Sequence, residues 1–306
     1  MFNQSKPSSS NKVSAKVIPY IVGGLGNQLF IYAAARRLAL INNAELVLDD
    51  VSGFTRDYVY QRHYQLDHFH ISARKATPRE RLEPFPRVRR YIYRRYSRRL
   101  PFDSRSYLQQ ESRDFDPRLL TLKFQGTLYL EGYWQSENYF KDVEATIRKD
   151  LCIIEPTDSS NQRMATKIRG SNSVALHIRF FTPIGQANDN STNVNQEYYL
   201  GAISKIENLF SNPHYFIFSD QPDSVNKLIP LSDDRMTLVK HNKGDNNAYS
   251  DLWLMTLCRH FIIPNSTFAW WGAWLASHPQ KVVISPITEA GGWNKKGLIP
   301  SSWLSL

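Results

Sequence analysis

Residues 22–30 read VGGLGNQLF, between the apolar run VIPYIV (residues 17–22) and IYAAARRLALINN (residues 31–43). A short apolar run that breaks into glycines predicts a strand ending in a turn, and Leu29, Ala33, Arg36 and Leu40 then repeat at helical spacing. ELVLDD (residues 45–50) supplies the next strand. Together they make a βαβ opening, the usual start of a doubly wound α/β domain. Gly23, Gly24 and Gly26 permit unusual backbone angles and a close approach, by a ligand or by neighbouring chain in a tight packing turn. Asn27 both donates and accepts hydrogen bonds, so Gly24, Gly26 and Asn27 are candidate positions for holding an acceptor or a nucleotide sugar, the donor, at a helix start. The glycine spacing is not that of the dinucleotide fingerprint, and no Gly-Lys-Ser/Thr ending makes it a P-loop.

Beyond this unit, GTLYLEGYWQSENYF (residues 126–140) predicts a strand and then a helix with a polar start at Ser136 and Glu137. The polar segment of residues 155–173 predicts an interdomain connection containing a short helix. A second α/β rhythm follows: SVALHIRF, HYFIFSD and MTLVKH as strands, QEYYLGAISKIENLF and SDLWLMTLCRH as helices, FIIPNSTFAWWGAWLA as strand, turn and helix, and QKVVISP as the terminal strand. The expected organisation is a flexible tail (residues 1–16), an N-terminal domain with a basic insertion (17–168) and a C-terminal domain (169–306). Two facing α/β domains place polar groups beyond the carboxyl ends of parallel strands, where ligand sites in such sheets collect.

The 306 residues, 42% of them hydrophobic, suffice for two such domains. Two cysteines exclude a disulfide scaffold and a cysteine-rich zinc site. No secretion signal and no long apolar segment is present, so a cytoplasmic enzyme is expected. The formal charge of +10 calls for an anionic partner. Much of it lies in residues 74–100, where arginines alternate with Tyr91, Tyr93 and Tyr96. That pattern suits a solvated loop and helix, an anionic membrane surface at the inner face or an anionic acceptor; without a nucleic-acid-reading module, nucleic acid is not an expected partner.

In the second half, HIR places His177 and Arg179 on one side of a strand and Ile178 on the other. Arg179 suits a two-pronged contact with phosphate. Asn265, Ser266 and Thr267 stand between a strand and an aromatic helix, where hydroxyls and free amides hold an anion, although Ser266 or Thr267 serves equally as a helix cap. Trp270, Trp271 and Trp274 are expected to anchor the domain core. Asp220, Asp251 and Glu131 are the candidate catalytic carboxylates, with the proton acceptor left open among them.

The segments GGLGNQLFIYAAARRLA, EGYWQSENYF, ALHIR, YFIFSD and NNAYSDLWLMTLCRHFIIPNSTFAWWGAWL resemble, in this order, the alpha-1,2-fucosyltransferases of glycosyltransferase family 11. The resemblance runs from about Val17 to Pro286 and omits much of the arginine-rich stretch. It implies a GT-B fold, GDP-fucose as donor substrate, no cofactor and no metal, and inverting transfer to the 2-hydroxyl of a terminal galactose in an oligosaccharide or lipid-linked glycan of surface-polysaccharide assembly. It also implies that residues 17–168 form the acceptor side and residues 169–306 bind the GDP-sugar, that His177 and Arg179 belong to the donor phosphate region and that Asn265, Ser266 and Thr267 line the nucleotide-sugar side, with Asp220 a further donor-binding candidate and Arg179 also a catalytic one. The chain departs from the family where a second arginine and two acids are common: Phe180, Thr182 and Gln221 stand there. These departures leave two alternatives, a carbohydrate-binding protein without turnover and a transferase with a different GDP-sugar or linkage.

Overall fold

In the computed structural model, which describes residues 15–180, 194–288, 293 and 296–306, the chain forms two all-parallel sheets facing each other. The first contains β1 (Lys16–Pro19), β2 (Glu45–Leu48), β3 (Arg74–Lys75), β4 (Tyr107–Gln109) and β5 (Thr127–Glu131), in the order β3-β2-β1-β5-β4. The second contains β6 (Ser173–Ile178), β7 (His214–Ser219), β8 (Met236–Val239), β9 (His260–Ile262), β10 (Val283–Ser285) and β11 (Leu304–Ser305), in the order β11-β10-β9-β6-β7-β8. The helices are α1 (Leu25–Ile41), α2 (Pro86–Ser97), α3 (Arg118–Thr121), α4 (Glu144–Asp150), α5 (Ser159–Arg169), α6 (Gln196–Leu209), α7 (Ala248–Thr256) and α8 (Thr267–Leu275). This is the pair of facing α/β units that the sequence pattern predicts, in the GT-B-like form that the family resemblance implies. Strand order reverses between β1 and β5 in one sheet and between β6 and β9 in the other, and each reversal opens a crevice at the strands' carboxyl ends.

Strand β6 shows how the alternation of side chains divides the C-terminal half. Every residue of it is buried, as in a strand covered on both faces. Val174, Leu176 and Ile178 enter a core shared with Tyr199, Ala202 and Ile206 of α6, while Ala175 points to the larger core between the sheets. His177 and Arg179 follow Ala175 on that inner side.

The larger core is continuous through both halves. Phe30 of α1 lies 4.6 Å from the Trp270 ring and 5.0 Å from that of Trp271, and Phe140 stacks on Trp271 at 5.5 Å. The tryptophans of α8 therefore anchor the junction between the sheets rather than one domain's interior. Gly26 answers the question its turn raises: a Cβ there would lie 2.5 Å from the Phe268 backbone nitrogen and from the Thr267 carbonyl carbon. The close approach is by the backbone of α8.

Several boundaries differ from the sequence expectation. The basic stretch contains the edge strand β3, and β10 is followed by β11. The expected helix at Ser136 is a short 3-10 turn, because Ser136 caps only Asn138, and α4 starts at Glu144. The polar connection is mostly the helix α5, capped by Asp158. Although residues to 168 group with the N-terminal half in sequence, Asn161 Nδ2 donates to Asn242 Oδ1 at 2.9 Å and Lys167 Nζ to Thr237 Oγ1 at 2.7 Å, tying α5 to the C-terminal half. Thr182 and residues 1–14 of the expected tail lie outside the described residues. Among the described residues no helix is long and apolar enough to cross a membrane.

Candidate functional site

The two crevices open into one cleft of about 1820 Å³, and every candidate residue named from sequence lines it. Its floor is made where α1 and α8 begin. Gly24, the N-cap of α1, supplies no side-chain cap, and no acid stands in that helix's first turn. Ser266 caps α8 by accepting from the Ala269 amide at 3.5 Å, and that first turn is also without acid. Because Gly26 lets the two starts touch, two helix N-termini meet with their partial positive charges uncompensated. Such a convergence is costly by itself and favourable around an anion. Asn265 is buried beside it, and Asn27 accepts a hydrogen bond from Gln135 Nε2 at 2.8 Å.

Near the carboxyl end of β6, His177 is 5% exposed, with its ring 5.6 Å from that of Phe268 and its Nδ1 without a hydrogen-bond partner among the described residues. Burial, and secondarily the charge of Arg179, pushes its pKa down to about 3. His177 is thus a neutral imidazole near pH 7, suited to a hydrogen bond with a ligand and not to a charge pair. Arg179 Nε lies 3.3 Å from Asp220 Oδ2, while Asp220 Oδ1 accepts from the Phe180 amide at 3.0 Å. Burial lowers the pKa of Arg179, and Asp220 opposes that. Asp220 is therefore occupied in fixing the end of β6 and the arginine on it. Phe180 is buried in the core beneath α6, so the position where a second arginine is common is filled by packing. Asp220, Pro222 and Asp223 line the cleft, whereas Gln221 Oε1 is buried.

The other two carboxylates differ in their surroundings. Glu131, at the end of β5, accepts from Tyr107 Oη and from Gln109 Nε2, with Arg94 Nε at 3.5 Å; Tyr107 has its pKa raised by burial and then by Glu131. Asp251, at the start of α7, accepts one hydrogen bond, from Asn242 Nδ2 at 2.8 Å, and burial pushes its pKa up to about 7. Asp251 thus has a proton affinity matched to exchange near neutrality.

Arg62 escaped the sequence reading. It lines the cleft from the N-terminal half, its guanidinium carbon 3.8 Å from where a Cβ on Gly24 would stand, and pairs with Asp245 of the opposite half. Gln65 Nε2 donates to the same carboxylate at 2.7 Å. Asp57 shapes the turn that delivers Arg62, accepting from the amides of Tyr60 and Arg62 at 3.0 and 3.1 Å. The segment DYVYQRH carries no motif, and a turn-forming aspartate was its one visible signal. Among the described residues no group of three or more His, Cys, Asp or Glu side chains is placed to hold a metal ion.

The family model described as Glycosyl transferase family 11 matches residues 19–296. An Escherichia coli protein named alpha-1,2-colitosyltransferase is 28% identical over 95% of this chain and 98% of its own length. The E. coli O-antigen biosynthesis glycosyltransferase WbnK is 27% identical over 93% and 98%. Among solved structures, a variant of Arabidopsis thaliana FUT1 in complex with GDP shares the fold, with a TM-score of 0.51 at 12% identity, over 92% of this chain and 72% of that one. With the family model spanning nearly the whole chain, the protein belongs to glycosyl transferase family 11.

Proposed function

We propose that the chain is an inverting fucosyltransferase, using GDP-beta-L-fucose and the 2-hydroxyl of a terminal galactose in a surface-polysaccharide glycan. The acceptor oxygen attacks C1 of fucose opposite the diphosphate. The new glycosidic bond forms as the C1–O bond to GDP breaks, the diphosphate keeps the electron pair, and the hydroxyl proton passes to Asp251. The observation that carries this reading is the cleft floor: two helix N-termini and Arg179 converge in a family 11 chain, where charge develops on a departing diphosphate. His177 Nδ1 offers that donor a neutral hydrogen-bonding group. The names of the two E. coli relatives support the linkage and the surface-polysaccharide setting. The acceptor would be met on the cytoplasmic side, free or carried on lipid at the inner membrane face. A second reading, transfer of a different GDP-linked sugar, is favoured by the colitosyl group named for one relative.

Purified protein given GDP-fucose, galactose-terminated oligosaccharides and a chelator should release GDP in equal amount to a product whose alpha-1,2 linkage is read by NMR. GDP-colitose in a parallel reaction decides between the donors. Donor binding without product across a broad acceptor panel would favour a carbohydrate-binding protein. Arg179→Ala should lower kcat/KM by about 100-fold or more while leaving the melting temperature near the parent's, and unchanged turnover would remove Arg179 from the mechanism.

A further inference from the structure

The outer face of α2 carries an apolar row that the cleft does not use. Arg90 and Ser97 are its buried positions, and Arg90 is clamped by Asp49 and by Ser52 Oγ at 3.0 Å, with its guanidinium 4.7 Å from the Tyr20 ring. These contacts fix the rotation of the helix on the N-terminal sheet. The opposite side then presents Phe85, Val88, Ile92 and Tyr96, at spacings of three and four residues, which are 73%, 58%, 58% and 63% exposed. A helix of a soluble domain ordinarily turns such a stripe inward, and an exposed one marks an interaction face. Arg89, Arg95 and Arg99 are exposed on the same side, and the sequence from Pro84 to Phe102 contains no acid. The inner side of the same helix borders the cleft through Pro86, Arg87, Arg90 and Arg94.

We propose that this face docks on an anionic phospholipid bilayer, the apolar row entering the boundary between headgroups and acyl chains while the arginines meet the headgroups. The acid-free arginine flank selects an anionic partner, and the linear apolar row with tyrosine at its edge matches the layered polarity of a bilayer surface. Docking so would hold the N-terminal wall of the cleft at the membrane. The inference rests on the proposed function only for its purpose, the capture of lipid-linked acceptor. Binding itself requires neither donor nor acceptor.

Flotation of the full chain with extruded vesicles tests it, comparing phosphatidylcholine alone with phosphatidylcholine containing about one third phosphatidylglycerol. The protein should float with the anionic vesicles and not with the neutral ones. The double variant Val88→Ser/Ile92→Ser and the triple variant Arg89→Gln/Arg95→Gln/Arg99→Gln should each reduce the floated fraction about fivefold or more. Both variants should keep the parent's melting temperature and GDP-induced thermal shift, which shows that fold and donor site are intact and keeps a failure here separate from a failure of the transferase reading. Absence of flotation on both vesicle types, or flotation unaffected by the apolar variant, would overturn the proposal. So would a concentration-dependent dimer in light scattering that the Val88→Ser/Ile92→Ser variant abolishes, since the face would then join copies of the chain.

Discussion

Two glycines two residues apart in the same turn do different work. Gly24 has an ordinary extended backbone and only the flexible Arg62 side chain within 4 Å of its missing Cβ, whereas Gly26 faces the backbone of Thr267 and Phe268. Gly24→Ala should therefore lose only the glycine N-cap, less than about 1 kcal/mol in a urea titration, and Gly26→Ala should cost about 1–3 kcal/mol, the range of overpacking strain. Equal effects of the two would show that the helix starts can separate freely. Asp251 provides a second contrast. Its folded pKa is raised, so the folded state holds a proton that the unfolded chain releases, and the stability linked to that proton is present at about pH 4 and lost as pH rises through about 7. Asp251→Asn should raise the melting temperature at about pH 8 and leave it unchanged at about pH 4. If Asp251 takes the acceptor proton, kcat/KM of the parent climbs through about pH 7 and the variant loses about 100-fold or more; a fully active variant would assign the proton elsewhere.

Strand β6 with the turn after it illustrates why some of the site was legible in sequence and some was not. Local alternation in ALHIR correctly separates His177 and Arg179 from Ile178, because period-two geometry needs no knowledge of neighbours. The same local view could not see that Phe180, one residue beyond Arg179, turns into the core with α6 and gives its amide to Asp220. The family pattern, with a second arginine common here, invites that residue at position 180. In the structure Phe180→Arg would bury an unpaired charge, and it should destabilise the protein by about 3–5 kcal/mol, measured by denaturant unfolding, without improving donor affinity. A stable variant that binds GDP more tightly would instead show that residue 180 can swing into the cleft. Helix-forming periodicity likewise exposed α1, α6 and α7, while α5 showed only as a short helix within a polar connection, because few of its residues are buried. The pairing of Arg62 with Asp245 spans 183 residues, and no local pattern encodes a contact at that separation.

Contacts between the two halves run the length of their seam. At one end Arg62 and Gln65 hold Asp245, and His68 stacks on Tyr249 with ring centres 3.7 Å apart. At the centre α1 and α8 share Phe30, Trp270 and Trp271, each fully buried. At the other end Ser136 Oγ donates to the Gly297 carbonyl at 2.6 Å. A hinge that opened the cleft would have to lift large aromatic side chains out of this core, each worth about 3–5 kcal/mol when its packing is lost. The molecule should consequently unfold in urea as one unit, with tryptophan fluorescence and far-ultraviolet circular dichroism giving coincident transitions despite its two sheets. GDP should raise the midpoint while leaving the slope unchanged, because it binds a cleft already formed. Small-angle scattering should show the same radius of gyration with and without GDP. Two resolved unfolding steps, or a contraction on adding GDP, would mean that α8 belongs to the C-terminal half alone and that the helix N-termini come together only around the anion.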